Sequence, residues 1–158
     1  MSKYHLAYLC LGSNIEPEVN LPKAVELLSK FGEIQRTSRV WESEAVGTEG
    51  PNYLNVCLLL QSNFKQVELI ERAIRPIEAQ LGRKRSEDKF APRTIDIDIV
   101  IFDGKFINDD NWSLAYIIIP LADIFPHHRN PKTEESMAVI ATRLRRDVWL
   151  ETRRGVLG

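Results

Sequence analysis

The sequence predicts an α+β fold of the ferredoxin-like βαββαβ type: a mainly antiparallel four-stranded sheet with two helices packed on it, followed by a C-terminal extension. Three observations carry that expectation. Four short stretches are apolar or alternate with period two, two longer stretches repeat apolar residues at helical spacing, and turn-forming, polar or charged segments separate them. The length of 158 residues, with 44% hydrophobic and 27% charged residues, suits one core, so residues 1–158 are read as a single domain.

The run Leu6 to Leu11 ends at Gly12-Ser13-Asn14 and reads as a buried strand entering a turn. A helix follows, with Asn20 as N-cap, Pro22 in the first turn, Ala24, Leu27, Leu28 and Phe31 on one face, and Gly32 closing it. Ile34 to Trp41 and Tyr53 to Leu60 read as the second and third strands, separated by the polar loop Ser43 to Pro51. Ile70, Ala73, Ile74, Ile77 and Leu81 share one face of a second helix over Gln66 to Leu81, where the interior Pro76 predicts a kink. Gly82 to Pro92 is a charged loop, Thr94 to Phe102 the fourth strand, and Glu134 to Arg145 a helix of the extension. No internal repeat or low-complexity linker interrupts the chain.

A formal net charge of −1 provides no global attraction to nucleic acid or an anionic membrane, so neither is expected as a partner. Cys10 and Cys57 each lie inside an apolar run and are expected as buried, reduced thiols, in keeping with a cytoplasmic protein. The apolar stretch before Gly12 is too short for a signal-peptide core or a membrane span. A monomer is the default expectation.

Chemistry concentrates in Arg93-Thr94-Ile95-Asp96-Ile97-Asp98-Ile99. Alternation along a strand puts Asp96 and Asp98 on one face, about 7 Å apart, with the isoleucines on the other. Two carboxylates in an apolar strand suit a hard cation such as Mg²⁺ whose shell phosphates complete. A half-exposed strand with a wetted acidic face satisfies the alternation equally. The preceding loop favours the metal: Arg83, Lys84, Arg85, Lys89 and Arg93 outnumber Glu87 and Asp88, five cations against two anions, as a mobile polyphosphate-binding arm requires. Neither GxxxxGK(S/T) nor GxGxxG occurs, so any ATP site is of another design. Tyr53 and Asn55 share a strand face where an aromatic plane and an amide can take a flat heterocycle, or serve as ordinary core and turn residues. The C-terminal arginines are interleaved with acids and His127-His128 lacks partners at metal spacing, so both read as solvated surface.

Leu11-Gly12-Ser13-Asn14, Pro51-Asn52-Tyr53-Leu54-Asn55, Leu81-Gly82-Arg83 and Ala91-Pro92-Arg93-Thr94-Ile95-Asp96-Ile97-Asp98 occur in this order and resemble the 6-hydroxymethyl-7,8-dihydropterin pyrophosphokinase family, over roughly residues 4–126. The resemblance implies a cytoplasmic enzyme of folate synthesis that transfers pyrophosphate from ATP to a pterin alcohol and releases AMP. It implies two Mg²⁺ ions on Asp96 and Asp98, phosphate contacts from Arg83 and Arg93, and an ATP-side role for Glu78. Tyr53, Asn55 and Tyr116 would hold the pterin, with backbone groups from Ser43 and Val46.

The departure from the family pattern lies at Ile107 to Tyr116, where a Pro-His segment and a following arginine are absent, and at Phe90, where the family often has tryptophan. Lys105 is the nearest basic residue to stand in. Each lost donor to a developing charge costs on the order of 10²-fold in rate. That leaves two alternatives to the parent activity: a diverged paralogue acting on another pterin alcohol, or a pterin- or nucleotide-binding protein without turnover.

Overall fold

The computed structural model describes residues 3–45, 50–83 and 94–157. Strand β1 (His5–Ser13) lies at the centre, between β4 (Tyr53–Ser62) and β5 (Asp96–Phe102), antiparallel to both. The sheet runs β6 (Lys105–Phe106), β5, β1, β4, β3 (Val40–Ser43), β7 (Leu150–Arg153), and β2 (Glu33–Thr37) also pairs with β4. Fourth, first, third and second predicted strands therefore stand side by side as the ferredoxin-like order requires, in a sheet wider than the four expected.

The second predicted strand is two, β2 and β3, both on the same edge of β4. Ser38 breaks it: its hydroxyl accepts from Cys57 N and its own N–H donates to Cys57 O, both at 2.8 Å, replacing regular ladder bonds. Helix α1 (Pro17–Leu28) begins earlier than Asn20. Pro17 supplies a pre-set φ in the first turn, Pro22 is tolerated inside, and Asn20 instead donates from Nδ2 to Ile15 O at 2.6 Å. Gly32 is required by close approach, since a Cβ there would lie 2.3 Å from Gln61 O.

The second predicted helix is α2 (Gln66–Leu69), a π-helical turn (Ile70–Ile74) and α3 (Arg75–Gln80). Pro76 accounts for the interruption: its ring would press on the carbonyl four residues back, and the wider turn, in which Arg75 N donates to Ile70 O, relieves that contact. Gly82, at φ +86°, closes α3 with bonds from Gly82 N to Ala79 O and from Arg83 N to Glu78 O, both 3.0 Å.

One sheet face packs Leu9, Leu11, Val56, Leu58, Leu60, Ile95 and Ile97 against α1 and the α2–α3 segment. The opposite face is covered by α4 (Ala115–Ala122), which the sequence reading did not include, and by α5 (Met137–Arg145), the expected helix of the extension; their Ile117, Ile118, Leu121, Met137 and Ile140 cover Tyr8, Cys57, Leu59 and Val100. The C-terminal extension is thus a second layer that ends in edge strand β7 on β3. Asp123, at the end of α4, accepts from Trp41 Nε1 (3.0 Å), Arg39 Nη2 (2.8 Å) and Arg39 N (3.1 Å), tying α4 to β3.

Cys10 and Cys57 face each other across β1 and β4 and are disulfide-bonded, which corrects the expectation of reduced thiols. Both backbone groups of Cys57 are turned toward Ser38, so the pair is of the non-hydrogen-bonded kind, where facing side chains come closest; the Cα atoms are 4.2 Å apart. Forty-seven residues of sequence separation conceal this adjacency. No described helix is long and apolar enough to cross a membrane.

Candidate active site

The sheet register brings Ser43, Tyr53, Asn55, Asp96 and Asp98 of the predicted residues to one sheet face. Gly12 of β1 pairs with Asn55 on one side and with Asp96 on the other, so the row Asn55, Gly12, Asp96 crosses three strands. Strand spacing puts the outer two Cα positions about 10 Å apart. Side chains of facing residues share a face, so Tyr53, Asn55, Cys10, Asp96, Asp98 and Ser43 all project toward the α4 layer. Glycine keeps the middle of the row low. A Cβ at position 12 would sit 3.3 Å from Asn55 Oδ1 and 3.5 Å from the Tyr53 ring.

Asn55 is buried, and its Nδ2 donates to Ser43 Oγ (2.8 Å) and to Trp41 O (3.1 Å). With both amide hydrogens engaged by β3, the carbonyl Oδ1 is left facing the space over Gly12, a fixed acceptor. Ser43 therefore reaches the site through its side chain, which orients Asn55, a role the sequence does not reveal. Tyr116, in the first turn of α4, packs partly buried against the apolar cluster on this same face.

The charged end is tightly organised. Arg83 donates from one terminal guanidinium nitrogen to Glu78 Oε2 and to Asp96 Oδ1, the latter at 2.9 Å. Glu78, 3% exposed, also accepts from Ile97 N at 3.0 Å, so its carboxylate joins α3 to β5. An acidic residue on the helix was legible; its burial under Arg83 was not. Although Asp98 keeps an open edge, its carboxyl is pushed up to about 7, chiefly by lost hydration, then by the charge of and a hydrogen bond with Asp96, and by Glu78, with Arg83 opposing.

A carboxyl whose proton uptake is favoured by lost hydration and by a neighbouring carboxylate can exchange that proton for a cation, and a two-carboxylate set suits a divalent ion that completes its shell with water and phosphate oxygens. Among the described residues no cluster of three or more His, Cys, Asp or Glu side chains is arranged for a metal. Val46, Arg93 and loop residues 84–92, Phe90 included, lie outside the described residues.

The departing segment forms a 3₁₀ turn, Asp109–Ser113, capped by Asn108 Oδ1 accepting from Asp110 N at 3.0 Å. Trp112 anchors it by stacking on Phe106, ring centres 4.1 Å apart. Lys105 does not stand in for a missing cation: it pairs with Phe102, six residues along β5 from Asp96 and hence about 20 Å away.

A model of the family described as 7,8-dihydro-6-hydroxymethylpterin-pyrophosphokinase matches residues 8–126. The 2-amino-4-hydroxy-6-hydroxymethyldihydropteridine pyrophosphokinase of Aquifex aeolicus is 35% identical over 120 residues, covering 75% of this chain and 74% of its own. The enzyme of the same name from Synechocystis sp. is 29% identical over 144 residues, covering 84% and 73%. Among solved structures, Plasmodium falciparum HPPK-DHPS with pteroate matches at a TM-score of 0.68 and 12% identity over 93% of this chain and 44% of that one; it shares the fold, and this chain spans less than half its length. The breadth of the family match, with relatives above 30% identity, establishes that the chain belongs to the 7,8-dihydro-6-hydroxymethylpterin-pyrophosphokinase family.

Proposed function

We infer that this protein transfers the pyrophosphoryl group of ATP to the hydroxymethyl oxygen of 6-hydroxymethyl-7,8-dihydropterin in folate synthesis, releasing AMP. The observation that carries the reading is the row Asn55, Gly12, Asp96, which sets a heterocycle-sized floor beside a carboxylate pair. In the reaction the hydroxymethyl oxygen bonds to the β-phosphorus, the bond from that phosphorus to the α–β bridging oxygen breaks, and the hydroxyl proton is released.

Asn55 Oδ1, fixed by Ser43 and Trp41, accepts from pterin N–H groups, while Tyr53 and Tyr116 supply aromatic faces above and below the ring. Asp96 and Asp98 are the ligands for two Mg²⁺ ions, which when bound neutralise charge on the phosphate oxygens. Arg83, held by Glu78, and Arg93 contact the phosphates; Glu78 acts on ATP through Arg83, since its own carboxylate is turned inward. Val46 offers backbone groups to the pterin. The proposed setting is the cytoplasm, where ATP and reduced pterins occur together.

A second reading, binding without turnover, draws on the segment at 107–116, whose Asn108 oxygen is engaged in its own turn and which has neither histidine nor arginine. AMP formation from ATP and 6-hydroxymethyl-7,8-dihydropterin, with Mg²⁺ and again with excess chelator, decides between them. Metal-dependent AMP release is expected. Pterin binding without AMP would leave the non-catalytic reading in place.

A further inference from the structure

The family match ends at residue 126, and the chain continues into α5 and β7. Strand β7 pairs with β3 so that Leu150 faces Ser43 and Thr152 faces Trp41, the two residues that engage the Asn55 amide. Glu42, between them, has its side chain on the opposite sheet face, beneath the floor on which Tyr53 and Asn55 stand. Its carboxylate is shared: Oε1 accepts from Arg153 Nη1 and Oε2 from Asn52 Nδ2, both at 2.9 Å. These two bonds, Asn52 first and Arg153 second, hold the Glu42 carboxyl below the usual carboxylate range. Asn52 immediately precedes Tyr53, so its bond to Glu42 and the Ser43–Tyr53 pair together close the neck of the β3–β4 connection. Arg153 Nη2 also donates to Glu18 of α1 at 3.4 Å, and beyond it Val156 is buried among the residues of the α1 face.

We propose that Arg153 is a positioning residue for the pterin, acting through Glu42 and Asn52 to hold the neck that carries Tyr53 without touching the ligand itself. The proposal rests on Tyr53 and Asn55 being the pterin-binding residues. Charge explains why a cation is needed at this edge. Glu151 lies directly opposite Glu42 in the β3–β7 ladder and Glu18 reaches Arg153 from α1, so two further carboxylates share the corner with Glu42. Facing like charges destabilise a sheet pair. With Arg153 present, Glu42 is drawn onto Asn52. Without it, repulsion from Glu151 turns the Glu42 carboxylate to solvent, for which its 21% exposure leaves a path, and Asn52 loses its acceptor. The ligand must then order the neck, and that cost is subtracted from pterin affinity. Nucleotide binding is spared, because the Asp96–Asp98 pair on β5 lies beyond β4 and β1 from β3.

The test follows binding of 6-hydroxymethyl-7,8-dihydropterin by its fluorescence, with Mg²⁺ and α,β-methylene-ATP present, for the wild type, Arg153→Gln, Glu42→Gln and the double variant. Loss of an edge ion pair that also offsets a like-charge contact predicts roughly fivefold weaker pterin binding by Arg153→Gln. The affinity for α,β-methylene-ATP with Mg²⁺, measured by calorimetry without pterin, should change by less than about twofold. Glu42→Gln removes the charge that Arg153 answers while keeping an oxygen for Asn52, so in that background Arg153→Gln should cost no further pterin affinity. A general loosening of the fold would instead lower both affinities together and add in the double variant. Unchanged pterin affinity in Arg153→Gln, an equal loss of nucleotide affinity, or additive losses in the double variant overturns the proposal. If the wild type binds pterin while any of these tests fails, only the positioning role is refuted; if the wild type takes up no pterin, the functional reading falls with it.

Discussion

Replacing Asp123 with alanine probes how the α4 layer is held over the site. The carboxylate serves two partners of different worth. Arg39 is 64% exposed at its side chain, so its ion pair contributes about 0–1 kcal/mol after solvent screening. Trp41 is 1% exposed, and its indole N–H, left without an acceptor, costs about 1–3 kcal/mol. The tryptophan term dominates, and the sum of about 1–4 kcal/mol corresponds to a fall in Tm of roughly 2–16 °C for a chain of this size. Asp123→Asn retains an acceptor for Trp41 and should recover most of that loss. Urea unfolding followed by circular dichroism, with the slope checked for constancy, gives both values. If alanine costs less than about 0.5 kcal/mol, a typical surface change, or if asparagine is as damaging as alanine, the indole hydrogen bond is not what ties α4 to β3. Because Tyr116 rides on α4, the alanine variant should also weaken pterin binding.

Three further outcomes are expected. Asp98, raised to about 7 from the ordinary carboxyl value of 3.8, binds a proton in the fold that the unfolded chain releases, so its contribution to stability without added metal declines as pH rises from about 4 to 7. Excess Mg²⁺ should therefore raise Tm more at about pH 8 than at about pH 6, and Asp98→Asn should raise metal-free Tm at about pH 8 and remove the pH dependence of the Mg²⁺ effect; equal Mg²⁺ shifts at both pH values in the wild type would refute it. Asn55→Ala should weaken pterin binding, measured by ligand fluorescence, with little change in binding of an ATP analogue, since Asn55 stands at the far end of the row from Arg83. Protein unfolded in the presence of an alkylating agent should take up no label at Cys10 or Cys57, and two equivalents after reduction; a disulfide would be uncommon in a reducing cytoplasm, which makes the count decisive.

The βαββαβ order was legible because each of those elements buries one side of itself, and burial leaves a period in the residues. Where that signal fails, the reasons are specific. Helix α4 has six of its eight residues buried between the sheet and α5, so it shows no polar face to mark a helical period. The break at Ser38 depends on a hydroxyl reaching Cys57 from another strand. The π-helical turn before Pro76 is a tertiary accommodation, visible in sequence only as an expected kink. At the site, Asp96 and Asp98 could be paired by alternation alone, and Tyr53 with Asn55 likewise. The orienting bond from Asn55 to Ser43 and the burial of Glu78 under Arg83 had no counterpart in spacing.

By itself, then, the sequence determined which residues share a face within an element, and so the carboxylate pair, the aromatic-amide pair and the fold class. The tertiary structure decided which of those faces meet. The ladder register alone puts Gly12 between Asn55 and Asp96, and Cys10 between Cys57 and Asp98. Register is a non-local quantity, set by how buried rows of several strands and two helical layers fit together, and a slip of one residue would send every one of these side chains to the opposite face.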